Sequence, residues 1–144
     1  MMPDGPDAND LVVVDAAGST FAIPAPAVRV VLPFVHHRPL PGVRPWLRGV
    51  VERQGVLLPL VDLAILVGGA AVPARRRSRI VIVGTGEDTT EDIALAVEGV
   101  TDVVERPEEA TAHPGFDFPG SRHLGEVVVL DGTPTPVLRV REIL

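Results

Sequence analysis

The sequence predicts a mainly β protein assembled from small closed barrels, and three observations carry that expectation. Of the 144 residues 46% are hydrophobic and 3% aromatic. The apolar ones are mostly Val, Leu, Ile and Ala, and Val and Ile favour strands. Fifteen prolines and fourteen glycines cut the chain into short pieces, the pattern of folds with many turns. The pieces read as about nine or ten closely spaced strands, and closing them into barrels removes exposed edges. The length fits one domain, or two small lobes sharing a core.

Residues 1–10 form a polar, flexible lead, and the folded unit runs 11–144. LVVVD (Leu11–Asp15) is a strand, AAGS a turn, and TFAIP the returning strand. AVRVVLP (Ala27–Pro33) is a third strand. FVHHRPLPGVRP is a loop that its prolines keep irregular. WLRGVVERQGVLLPLV forms two strands around a turn at Arg53–Gly55.

The run GVLLPLVDLAILVGG opens a stretch, Gly55–Ala74, that is nearly free of charge over a length that could span a membrane. Asp62 would then lie near mid-membrane at a cost of roughly 2.5–3.5 kcal/mol, and Pro59, Gly68, Gly69 and Pro73 weaken a continuous helix. The run divides instead at Asp62. GVLLPLV is a strand buried on both faces, with Pro59 at an edge or bulge because it lacks a donor. Asp62 caps a short helix, LAILV, whose carboxylate accepts a backbone N–H two or three residues on. Gly68-Gly69 ends the helix in a left-handed cap. As a cap alone, Asp62→Asn costs little stability.

Residues 69–79 read as the link between lobes. Ile80–Val83 and Ile93–Val97 are the arms of a hairpin with the polar tip GTGEDTTED, and the large–small alternation of the second arm suits a packed barrel wall. VTDVVE extends the sheet. RPEEATAHPGFDFPGSRH is a loop with one helical turn at Pro107–Ala110. LGEVVVLDGTPTPVLRV is a hairpin turning at Asp131-Gly132. The equal parity of Pro134 and Pro136 makes that arm an edge on one side. VREIL closes the chain as a helical turn packing Ile143 and Leu144.

Composition narrows the chemistry. A net charge of −6 opposes binding to nucleic acid or anionic lipid. No cysteine is present, which removes disulfides and thiolate metal sites and fits a cytoplasmic location. MMPDGPDAND lacks the apolar stretch of a signal peptide. All thirteen basic residues are arginine and tyrosine is absent, so Schiff-base lysines, the phosphate-loop lysine and tyrosine acids are excluded.

Four stretches, in order, resemble the CheW-like domain family of chemotaxis coupling proteins. RGVVERQGVLLPLVDLAILVG (Arg48–Gly68) is similar to its central signature, with Gly49, Gly55, Pro59, Asp62 and Leu63 in register. ALAVEGVTDVVE (Ala94–Glu105), STFAIPAPAVRVVL (Ser19–Leu32) and the closing LGEVVVLDGTPTPVLRVREIL match further motifs. The resemblance implies two SH3-like five-stranded β-barrel lobes sharing a core, with short helices after Asp62 and at the C-terminus. It implies no enzyme and no cofactor. The implied role is a scaffold that couples the cytoplasmic tips of chemoreceptors to the regulatory domain of a CheA-type histidine kinase, with a receptor hairpin laid in a groove between the barrels. Two positions depart from the pattern. Gln54 stands where the family carries an arginine used toward receptors, losing the charge and the guanidinium fork, and Val30 stands where glutamate is common. The departures point to a divergent array, such as one controlling pili, gliding or gene expression.

The residues implied for the receptor and kinase interfaces are Val28, Val30, Arg53, Gln54, Gly55, Val97, Gly99, Val100 and Asp102. Each has a plainer reading. Val28 and Val30, on one face of their strand, also suit the barrel core. Arg53 and Gln54 suit a solvated turn, and as neighbours in an extended chain they point to opposite sides. Gly99 permits a bulge or close approach, and Asp102 can bond nearby backbone. His36-His37 point apart in extended chain and chelate poorly without a third ligand; His113 and His123 lie in another loop, so no metal site is expected. RRRSR (Arg75–Arg79) reads as a solvated linker or as pairing with the acidic tip. GTGED lacks the lysine and helix of a phosphate loop, and Ser121 lacks the glycines of a nucleophile elbow. The alternatives to a scaffold are a small β-barrel hydrolase using Asp62, Asp102 and a histidine, or a ligand-sensing barrel.

Overall fold

Strands account for most of the computed structural model, which describes residues 9–34, 38–39, 44–107 and 123–143. The expectations for the lead before Asn9, for His36 and His37, for a helical turn beyond Pro107, for His113 and Ser121 and for Leu144 fall outside the described residues. The strands are β1 (Asp10–Ala16), β2 (Ser19–Pro24), β3 (Val28–Pro33), β4 (Arg38–Pro39), β5 (Leu47–Arg53) and β6 (Val56–Asp62), then β7 (Arg79–Val83), β8 (Ile93–Val97), β9 (Gly99–Glu105), β10 (Leu124–Leu130) and β11 (Thr133–Leu138). Among the described residues one α-helix, α1 (Leu63–Leu66), follows Asp62, and a 3-10 turn at Val140–Glu142 follows β11.

The strands form two sheets, ordered β10-β11-β2-β1-β9 and β3-β7-β8-β6-β5-β4. This is the mainly β, two-lobed architecture expected. The second sheet gains a sixth strand because Arg38–Pro39 in the proline-rich loop pairs with Val50 and Gly49. Among the described residues neither sheet closes on itself by pairing. One large apolar cluster joins the lobes: Val12, Val14, Phe21 and Ile23 from the first sheet pack with Leu58, Leu60, Ile80, Ile82 and Leu95 from the second. A smaller cluster of Leu11, Ala22, Val128 and Val137 lies within the first lobe.

The link near 69–79 does not join the lobes. It runs from α1 to β7, and β6 and β7 belong to the same sheet. The chain crosses between sheets at the 3-10 turn Ala25–Ala27 and at Glu98 between β8 and β9. Glycine, proline and arginine marked a segment without regular pairing, which is a different property from a lobe boundary.

Local chemistry explains the turns and edges. Ala17-Gly18, Gln54-Gly55 and Asp131-Gly132 all have positive φ at both residues, the type I′ geometry that matches strand twist. Pro59 pairs with Val50 of β5, and the parallel pairing of β6 to β8 begins one residue later, at Leu60. β11 meets β2 only at Val137, past Pro134 and Pro136. The strand expected to be buried on both faces is so only in its second half, since Leu57 is 62% exposed.

Candidate protein-interaction surface

Two β-bulges aim arginines at buried aspartates. In β3 the register shifts between Val28 and Val30, so Arg29 is the extra residue. In β5 it shifts between Leu47 and Gly49, so Arg48 is the extra residue. A bulge bends its strand and redirects a side chain. Arg48 Nη1 donates to Asp62 Oδ2 at 3.1 Å and to the Val72 carbonyl at 2.8 Å, and its guanidinium stacks 5.3 Å from the Phe34 ring centroid. Arg29 Nε lies 3.2 Å from Asp92 Oδ2, and its Nη2 donates to Asp92 Oδ1 and to the Gly86 carbonyl.

Asp62 does more than cap a helix. Its Oδ1 accepts the Ile65 N–H at 3.1 Å. Its Oδ2 accepts the Val72 N–H at 2.9 Å besides Arg48. The side chain is wholly buried, so one carboxylate ties β5, α1 and the following link together. Its replacement by asparagine is therefore a severe change rather than the mild one expected of a cap alone.

The first bulge alters the reading of β3. Val28 pairs with Val83 and Val30 with Ile82. Val83 and Ile82 are consecutive, so Val28 and Val30 belong to opposite faces instead of one. Both are half-buried and pack against the main core. The β5–β6 turn also departs from expectation. Gln54 has φ 53° and Gly55 φ 82°, and this turn geometry brings Arg53 and Gln54 onto one notch of about 100 Å³. Val56 and Leu58 floor it, and Arg29, Thr89 and Asp92 complete its wall.

The remaining candidates lie elsewhere. Val97 is fully buried and pairs with Arg79 at the start of β7, whereas Val28 pairs with Val83 at its end. The two groups thus stand at opposite ends of one strand. Gly99 is buried, and a Cβ there would lie 2.6 Å from Arg77 Nη2. Val100 is half-buried; Asp102 is exposed and accepts the Val103 N–H at 2.8 Å. Gly99→Ala is expected to push the Arg77 guanidinium off Asp15, its partner at 2.8 Å. That guanidinium is flexible and exposed, so the loss should be about 1 kcal/mol or less, read as a small shift in a urea unfolding midpoint.

The residues proposed for hydrolysis do not converge. Asp62 and Asp102 belong to different sheets. His123 is buried, not a solvated loop residue, and its Nδ1–H donates to the Glu142 carbonyl at 2.8 Å, anchoring the C-terminal turn. No cluster of three metal-ligating side chains occurs among the described residues. Nor, among them, is any helix long and apolar enough to cross a membrane. The basic run does not pair with the acidic tip: Arg77 binds Asp15, and Arg79 binds the carbonyls of Arg76 and Ser78. Sequence reasoning missed Arg29, Asp92, Gly84 and Leu57. A lone arginine inside the apolar strand VRVV was the available signal, since a charge there needs a partner.

Two sheets around a shared core, two ion pairs that seat buried aspartates, and exposed apolar side chains at Val31, Leu57, Val103 and Val129 suit a protein-interaction domain. A profile of the CheW-like domain family matches residues 10–144, and the chain belongs to that family, whose members are non-enzymatic scaffold and coupling proteins of chemotaxis-type signalling. It is similar to Protein PilI of Pseudomonas aeruginosa, 36% identical over 66 residues, a stretch covering 46% of this chain and 37% of that protein. Its fold is similar to that of the scaffolding protein TtCheW from Thermoanaerobacter tengcongensis, with a TM-score of 0.81 at 18% identity, covering 97% of this chain and 90% of the other.

Proposed function

We propose that this protein is a cytoplasmic coupling scaffold that binds the regulatory domain of a CheA-type histidine kinase and the cytoplasmic tip of a chemoreceptor. The observation that carries the reading is the family match across residues 10–144. The architecture supports it, because the two lobes offer surfaces and, among the described residues, no cluster of three metal-ligating side chains and no convergence of Asp62 with Asp102. The candidates at the two ends of β7 supply two separate contact regions, Val28, Val30, Arg53, Gln54 and Gly55 at one end and Val100 and Asp102 toward the other, where the buried Val97 and Gly99 support the surface from beneath. Each contact is small, and repetition in an array strengthens it.

Calorimetric titration of the protein with a kinase regulatory fragment and, separately, with a receptor-tip fragment from its own organism tests the proposal. Binding to both is expected; binding to neither overturns it. Leu57→Asp is expected to weaken one of these contacts at least tenfold while moving stability by about 0.5 kcal/mol or less, because the residue is 62% exposed. Gln54→Arg, which restores the guanidinium fork, is expected to strengthen receptor-tip binding and to leave kinase binding unchanged.

A further inference from the structure

The first sheet begins at β10 and ends at β9, and among the described residues neither outer edge meets another strand. Both strands line one cleft of about 430 Å³. Val104 and Leu130 floor it, since both pack on the small core cluster of that lobe. The Arg106–Glu126 ion pair reaches across from the end of β9 to β10. Alternation decides which backbone groups face outward. The Arg106 N–H donates to the Asn9 carbonyl beside β1, so Val103 and Glu105 turn theirs away from β1. The Val103 N–H is already spent on Asp102 Oδ1 at 2.8 Å. In β10, Leu130 and Thr133 close the two-residue turn, and Val127 and Val129 stand opposite Pro136 and Pro134, which have no N–H to give. Val127 and Val129 therefore direct their N–H and C=O groups away from β11, where no backbone partner meets them among the described residues.

The side chains around this edge are apolar and acidic. Val129 is 55% exposed and Val103, on the facing strand, 48%; an open edge beside exposed valines invites another strand. Glu105 and Asp131 are exposed on the two walls, and neither forms an ion pair, whereas Arg106 is engaged by Glu126. The chain's own neighbouring segments, 1–8 and 108–122, carry five acidic residues and one arginine, so charge sets them against this rim.

We propose that the free edge of β10 accepts an extended segment of a partner protein in which lysine or arginine alternates with aliphatic residues. The inference goes beyond the coupling role and stands without it. Main-chain bonds to Val127 and Val129 hold the segment, and its alternating side chains give specificity. Alternation sends the aliphatic side chains down onto Val104 and Leu130 and the basic ones to the outer face. There the alkyl stems cover Val103 and Val129 while the charged heads reach Glu105 and Asp131. Exposed ion pairs are individually weak, so the strand pairing supplies the orientation and the charges select the partner.

Fluorescence anisotropy of the full chain with a short labelled peptide alternating lysine and valine tests this, beside a peptide of the same composition with its lysines and valines in separate blocks. The alternating peptide should bind below about 1 mM, at least tenfold more tightly than the blocked one, and should slow amide hydrogen exchange at Val127 and Val129. Glu105→Gln with Asp131→Asn should weaken binding at least tenfold while keeping the wild-type melting profile, because asparagine tolerates the left-handed conformation at 131. No binding at about 1 mM peptide, equal binding of the blocked peptide, unchanged exchange at Val127 and Val129, or an affinity indifferent to the charge variant would each overturn the inference. Slow exchange at those two amides before peptide is added would also overturn it. Slowness at every protein concentration would assign the edge to the chain's own residues, and slowness that grows with concentration would assign it to a second copy.

Discussion

Asp62→Asn is expected to lower the stability of the domain by about 3–5 kcal/mol, a large share of the roughly 5–15 kcal/mol typical of a domain. The carboxylate accepts the N–H groups of Ile65 and Val72 and the Arg48 guanidinium while fully buried. An amide has one oxygen for these donors and turns an N–H₂ group toward one of them. With the N–H₂ group toward Ile65 that backbone N–H loses its acceptor, and with it toward Val72 both Val72 and Arg48 lose theirs. In either orientation Arg48 also loses its countercharge, and each loss costs about 1–3 kcal/mol when buried. Urea unfolding followed by Trp46 fluorescence measures the loss at the site, because the Trp46 carbonyl accepts the Asp62 N–H at 2.7 Å. Arg48→Met should cost less, about 2–3 kcal/mol, since two N–H donors still stabilise the carboxylate. The double change Arg48→Met with Asp62→Leu is the decisive control. A buried ion pair alone can be replaced by apolar groups almost neutrally, but here Ile65 and Val72 would be stranded. Wild-type stability in the double variant would show that Asp62 serves Arg48 and not the backbone.

What was legible in the sequence was local. Asp131-Gly132, Gly68-Gly69, Pro59 and the Asp62 cap each act through the conformation of a few residues, and the structure places the corresponding turn, helix end, late pairing and capped helix where they imply. What was not legible depends on register and on distance along the chain. The bulge at Arg29 shifts Val28 and Val30 to opposite faces, and nothing in the alternation of VRVV announces an inserted residue. The Arg29–Asp92 pair joins positions 63 apart. Arg53 and Gln54 were assigned opposite directions by a strand rule, yet Gln54 sits in the left-handed region of a turn and shares a notch with Arg53. The exposure of Leu57 was hidden for a related reason: a run of consecutive apolar residues carries no alternation to say which side meets solvent. The candidate surface was therefore legible as a set of residues and not as an arrangement.

Gly84→Ala is expected to cost about 3 kcal/mol, or several degrees in melting temperature for a chain of this size. No positive φ is involved; the constraint is space. A Cβ on Gly84 would overlap Asp92 Oδ1 and stand 2.8 Å from Arg29 Nη2. Backbone retreat is opposed by the Gly84 N–H bond to the Ala27 carbonyl at 2.9 Å, which docks the end of β7 against the crossing between lobes. The yielding group is then Asp92, which is 3% exposed and held by Arg29. Displacing it leaves a buried carboxylate without its cation. The contrast with Gly99 is instructive, because there the neighbour is the free end of an exposed arginine. Asp92→Ala alone removes both the pair and the obstacle. If the clash is the cause, Gly84→Ala added to Asp92→Ala costs almost nothing further, and the two losses are strongly non-additive. Thermal unfolding of the two single variants and the double decides the matter. Additive losses would mean that alanine at position 84 harms the fold by a route other than Asp92, and the steric argument would fail.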